Sequence, residues 1–281
     1  MLRTPLMNME VLVSRPYEEG DIYIQQTDVR RTSVPEVDER IRKNLENLET
    51  EIAEARTRGL QVVLYDSPIS TVRKIEENGG RLLIETGLTG YKELLGIRPA
   101  DEVLKKFVRK EYVINTSTLG TVVELADDKI PITTRQDYMM GILTNSLGLE
   151  MPVYHLPSGF VNPSDSSDPR IAVRRHILKD LFNVTDGRHF EVKANKLLGA
   201  VYSPTADEVY FCFNTKLHER STELTPRGKL YFVDNTRSGI REFIGNPPEG
   251  LDILYEGLSA LLLHLTHNWG ENEIEKIGKL H

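Results

Sequence analysis

The chain has 281 residues, 39% apolar and 27% charged, which at roughly 150 residues per domain is enough for two domains or one large α/β domain with an appendage. Its 35 Lys plus Arg against 42 Asp plus Glu give a net charge of −7, which argues against broad attraction to nucleic acid or an anionic membrane. No apolar run approaches the roughly 18 to 20 residues of a bilayer span, the first ten residues lack the apolar core of a secretory signal, and the lone Cys212 excludes an intrachain disulfide framework, so the expected compartment is the cytoplasm.

In chain order, residues 9–14 and 21–24 read as short strands. Ser33 and Glu36 then form a capping-box pattern with Pro35 in the first turn, and Val37, Ile41, Leu45, Leu48, Ile52 and Ala55 step by three or four along one helical stripe that Gly59 stops. The apolar run 60–65 predicts a strand, 70–77 a short helix, the Gly79-Gly80 pair a break, and 82–84 a second strand. Helical patterns return at 91–95 and 100–108. From about 111 to 235 the chain is dominated by β-like runs at 118–125, 130–134, 153–156, 190–200, 209–217 and 229–233. One helix interrupts them at 168–182, with Val173, Ile177, Leu178 and Leu181 on one side and a polar opposite face; a last, strongly apolar helix at 251–267 is expected to lie flat on a sheet. Cys212, between Phe211 and Phe213, reads as core. These runs predict a mixed α/β chain with an N-terminal α/β domain over 1–110, of no assigned role, and a β-rich domain over 111–281.

Between the strand at 153–156 and the helix comes Pro157-Ser158-Gly159-Phe160-Val161-Asn162-Pro163-Ser164-Asp165, and the helix carries Arg175-His176-Ile177-Leu178-Lys179-Asp180. The arrangement resembles a degenerate Nudix box, whose pattern is Gly, five residues, Glu, seven residues, then Arg-Glu-U-x-Glu-Glu-x-Gly-U with U a bulky aliphatic residue. Asp165 stands where the family has the first Glu. Arg175 follows Gly159 by 16 positions where the family has 14, so two residues are inserted; His176 and Lys179 replace glutamates, Ile177 keeps the aliphatic position and Asp180 replaces the last Glu. The hairpin pattern at 118–125 and 130–135 about Asp127-Asp128 matches the hairpin that precedes the box, and Thr86 to Gly96 is similar to a stretch in the nucleotide-sugar branch. The resemblance covers about residues 86 to 268 and implies a Nudix-like α/β/α sandwich with a mixed sheet, preceded by the smaller N-terminal domain.

It also implies a nucleoside-diphosphate-type ligand and, if the protein is an active pyrophosphohydrolase, Mg²⁺ as cofactor. Mg²⁺ is a hard cation that takes oxygen ligands, whereas positions 175, 176, 179 and 180, neighbours on one helix face, hold Arg, His, Lys and Asp. A single carboxylate beside an Arg and a Lys opposes the metal. Two readings of the face stay open: Arg175, His176 and Lys179, with Gly159 admitting a close approach, hold a phosphate directly, or they form a solvated surface. Asp165 and Asp180 are the candidate catalytic carboxylates, Asp180 and Glu219 the candidate metal ligands, and Glu223 lies on the same connection as Glu219. Asp165 and Asp168 equally suit helix capping. His264 and His267, three apart near the end of the last helix, could share a metal or sit as cationic side chains at a helix C-terminus. No Walker loop, Rossmann fingerprint, HExxH motif or nucleophile elbow at Ser158 appears. Three functions remain: a binding protein on a disabled box, an active hydrolase with a rebuilt metal site, and an interaction module. The acidic surface is compatible with a homodimer.

Overall fold

A computed structural model of the chain describes residues 9–60, 62, 64, 66–97, 115–135, 152–165, 168–184, 192, 194–203, 208–226 and 228–270. Strands β1 (Glu10–Val13), β2 (Tyr17–Glu18) and β3 (Ile22–Gln26) lead into α1 (Pro35–Thr57). The helix starts where Pro35 predicts, but by another device than the capping box: its N-cap is Val34, with no side-chain cap, and the Ser33 hydroxyl donates instead to Asp38 inside the first turn. Val37, Ile41, Leu48, Ile52 and Ala55 form the buried stripe, which packs on α2 (Tyr91–Ile97) through Leu95 and Ile97. Buried Asn44 joins the two helices by donating to the Gly96 carbonyl at 2.8 Å.

The segment between them corrects the sequence reading. Residues 70–77 are not helical: they belong to β4 (Pro68–Asn78), which pairs antiparallel with β5 (Arg81–Gly90). The β-branched residues Ile69, Thr71, Val72 and Ile75 suit a pleated surface, and Gly79-Gly80, both at positive φ, form the two-residue turn that closes a hairpin between Asn78 and Arg81. Residues 62 and 64, inside the run expected as a strand, lie outside any strand, and Val62 fills the α1 core instead. The helix expected at 100–108 lies outside the described residues.

Next come β6 (Thr116–Glu124), β7 (Lys129–Arg135), β8 (Val153–His155), β9 (Ser158–Phe160), α3 (Pro169–Phe182), β10 (Ala194–Ser203), β11 (Glu208–Lys216), β12 (Leu230–Asp234), α4 (Arg237–Gly245) and α5 (Tyr255–Trp269). Among the described residues they make one nine-stranded sheet, ordered β1-β10-β11-β6-β4-β5-β3 with β2 on β10 and β9 on β6, and a small sheet β12-β7-β8. The large sheet is mixed, parallel at β6–β11 and β3–β5 and antiparallel elsewhere. Strands from both sides of residue 110 share it, since Thr71 of β4 pairs with Thr116 of β6 and β1 pairs with β10. The hairpin expected at 118–135 has its turn at Asp127-Asp128 but opens at once, β6 staying in the large sheet and β7 entering the small one.

The layers are helix, sheet and helix. Along β11, Val209, Phe211 and Phe213 pack in one core with Ala172, Val173, Ile177 and Leu181 of α3, while Tyr210 and Cys212 pack in another with Leu258, Leu261, Leu262 and Leu265 of α5. Alternate residues thus fill opposite cores, which is why this strand reads as a continuous apolar run. The chain therefore has the mixed-sheet α/β/α sandwich architecture expected from its sequence. Cys212 is free and fully buried, and burial pushes its thiol pKa up, as suits a core residue. Among the described residues no helix is long and apolar enough to cross a membrane.

Candidate functional site

The site begins at β9, a three-residue strand laid on β6 with Gly159 opposite Leu119. Pro163–Asp165 then form one 3-10 turn, and Asp168 caps α3 by accepting the Arg170 backbone N–H at 3.0 Å, as the capping reading of that residue expects. Asn183 in the left-handed conformation ends the helix.

The polar residues Arg175, His176 and Asp180, which flank the apolar stripe of α3, are turned onto β9, while Ile171 and Arg174 face solvent. Arg175 Nη2 donates to the Asp165 carboxylate at 2.6 Å and to the Phe160 carbonyl at 3.1 Å. His176 Nε2 reaches the same carbonyl at 3.3 Å, and Asp180 accepts the Ser158 backbone N–H at 3.3 Å. Gly159 sits between these contacts at φ +153°, and a Cβ there would lie 2.3 Å from His176 Cε1, so the close approach this glycine permits is to the histidine ring. Asp165, His176 and Asp180 are only 4%, 4% and 8% exposed; the Arg175 side chain is 37% exposed, and Lys179 is half-buried. The Ser158 hydroxyl donates to Glu256 of α5 at 3.1 Å, so the strand is held from both faces of the sheet.

The structure thus brings together Gly159, Asp165, Arg175, His176 and Asp180. Glu219 lies elsewhere, on the connection after β11, where its carbonyl accepts the Ala126 N–H and its Oε2 is buried without a hydrogen-bond partner. Glu223 closes the local turn by accepting the Arg220 N–H at 2.6 Å. These carboxylates do not fit a magnesium site. Asp165 already neutralises Arg175, whose cation opposes a metal at the same oxygens, and Asp180 is engaged by a backbone N–H. Among the described residues no group of three or more His, Cys, Asp or Glu side chains is placed to hold a metal ion.

His264 and His267 are held by other partners. The His264 ring, fully buried, contacts Asn235 Oδ1 through Nε2 at 3.0 Å and Asn214 Nδ2 through Nδ1 at 3.3 Å, and Asn214 also donates to Glu124. Burial pushes its pKa down to about 4, against the pull of Glu124. His267 donates to the Leu198 carbonyl at 2.8 Å, and burial lowers its pKa as well. Both are therefore neutral near pH 7, which replaces the picture of cationic histidines complementing the helix end. Glu256 of α5 and Thr121, Asn195 and Thr215 carry no motif in the sequence; the signal for the last three is a polar residue interrupting an otherwise apolar strand.

No family model matches the chain, and no curated protein does. Solved structures do match, among them the MutT protein from Methanosarcina mazei Go1, at 10% identity and a TM-score of 0.34 over 55% of this chain and 95% of that one.

Proposed function

We propose that this chain is a Nudix-like protein that binds a nucleoside-diphosphate-type ligand at the exposed edge of the α3 face and does not hydrolyse it by the ordinary magnesium route. The observation that carries the reading is the state of Arg175. Its Nη2 is committed to Asp165 and Phe160, yet the side chain keeps 37% of its surface exposed, so the outer edge of the guanidinium stays within reach of a ligand. A guanidinium with a donor to spare on a partly exposed side chain suits a phosphate oxygen, and half-buried Lys179 one turn along adds a second cation. The resemblance of residues 157–180 to a Nudix box supplies the ligand class.

The test is a thermal-shift titration of the full chain with ADP and with UDP-glucose, each with and without Mg²⁺, scoring phosphate-containing products in the same wells. Both compounds are expected to raise Tm without metal-dependent product, and Arg175→Lys to lose most of the shift because an ammonium cannot reproduce the fork. If neither compound stabilises the protein, the ligand reading falls. If product appears with Mg²⁺ and Asp180→Ala abolishes it, an active enzyme with a rebuilt site replaces this reading; the partnerless Glu219 Oε2 is the observation on that side.

A further inference from the structure

A second polar feature lies on the same face of the sheet, away from Arg175. Three neighbouring strands place Thr121 (β6), Thr215 (β11) and Asn195 (β10) side by side in an otherwise apolar surface. Thr121 and Thr215 share a hydrogen bond at 2.8 Å, and Thr215 donates to Asn195 Oδ1 at 3.0 Å. Both threonines are fully buried and Asn195 is 6% exposed, yet the ladder ends on an open group: Asn195 Nδ2 is buried and has no hydrogen-bond partner. Buried amide donors are rarely left so, and an orphan of this kind calls for an acceptor.

Asn195 lines an open cleft of about 60 Å³ between β10 and the first turn of α3. Leu197 and Phe213 of the sheet give it an apolar wall. At the rim Arg170 is paired with Asp168 on one side and Glu19 on the other, so the rim carries two carboxylates to one guanidinium. An anion meets the excess carboxylate, and a cation meets Arg170 at close range. A neutral group meets neither difficulty. The complement of these walls is an acceptor facing Asn195, a donor facing the rim carboxylates and an apolar body against Phe213; an amide carries a C=O and an N–H side by side in that way.

We infer that the cleft between Asn195 and the α3 N-terminus binds a small uncharged carboxamide or lactam, its carbonyl accepting from Asn195 Nδ2 and its N–H donating to Glu19 or Asp168. This site is separate from the Arg175 face and stands or falls without it.

The test uses three near-isosteric probes, benzamide, benzoate and benzamidine, titrated to roughly 10 mM, a range that saturates a millimolar site, into the full chain labelled for NMR. Benzamide is expected to shift the Asn195 side-chain amide and the Ile22 and Leu197 methyl signals saturably, with the charged probes at least about fivefold weaker. Asn195→Leu should weaken benzamide by about tenfold or more; because that change also removes the acceptor of Thr215, the probe series on the unaltered protein serves as the independent arm. The inference is overturned if benzamide moves none of these signals, if benzoate binds as well or better, which would make Arg170 an anion site, or if a folded Asn195→Leu protein binds benzamide unchanged. Nucleotide binding at Arg175 would be read at the Val173 and Ile177 methyls, so failure of either reading is visible separately.

Discussion

The two long helices that cover the sheet bury polar groups in opposite ways. Helix α5 is apolar nearly all round, with Tyr255 and residues 257 to 265 buried, and its one buried histidine is wrapped in the amides of Asn214, Asn235 and Asn268. Helix α3 presents only Ala172, Val173, Ile177 and Leu181 to the sheet and uses a second side, Arg175, His176 and Asp180, to hold the short strand β9. A three-residue strand has too few ladder hydrogen bonds to fix itself, so side chains supply the rest. Polar side chains on a helix are thus not by that fact solvated or catalytic: on α3, Arg175, His176 and Asp180 are spent on an internal attachment.

Changes at the β9 contact should therefore cost stability out of proportion to their size. The largest effect is expected for Gly159→Ala, whose Cβ would collide with His176 at 2.3 Å: a loss of about 2 to 4 kcal/mol in urea unfolding, partly recovered in the double variant with His176→Ala. Simple additivity of the two changes would break the idea of a shared contact.

On the α5 side the lever is pH. His264 has a folded pKa of about 4 against 6.5 unfolded, so between those values the unfolded chain binds a proton that the folded chain does not. Its contribution is present above pH about 6.5 and is lost as pH falls toward 4, by about 3 kcal/mol in all. Urea midpoints measured from pH 7 to 4.5 should fall less steeply in His264→Gln. Equal slopes would place the acid sensitivity elsewhere.

Two smaller effects are expected. Asp165→Asn removes the charge opposite Arg175 from a buried position while leaving the guanidinium partly solvated, so about 1 to 2 kcal/mol is expected. Ser158→Ala removes the bond from β9 to Glu256 and should cost about 1 kcal/mol by thermal or urea unfolding.

Much of the layered fold was legible in the sequence because the periodicities were strong. The α1 stripe, the apolar run of β11 and the leucines of α5 each announced both element type and burial. Strand β4 is not, since its polar and apolar residues fit a short helix about as well, and a Gly79-Gly80 pair suits a chain break as readily as the closure of a hairpin. At the site, the box-like spacing singles out Gly159, Asp165, Arg175, His176 and Asp180, which the structure brings into contact. Their partners were out of reach, because nothing local in the sequence tells that Phe160 O and Ser158 N–H lie against α3. Asn195 and Thr215 face each other across the consecutive antiparallel strands β10 and β11, but Thr121 of β6 joins them only through the parallel register of β6 and β11, which sequence spacing does not encode.

The hold of α3 on β9 is tested most directly by native-state hydrogen exchange at the backbone amide of Ser158, in the unaltered protein and in Asp180→Ala. The Ser158 amide is expected to be protected and to lose most of that protection when Asp180 is removed, while amides in the β6–β11 ladder keep theirs. A Ser158 amide that exchanges freely from the start, or one whose protection is the same in both proteins, would contradict the claim that the polar face of α3 is spent on holding β9.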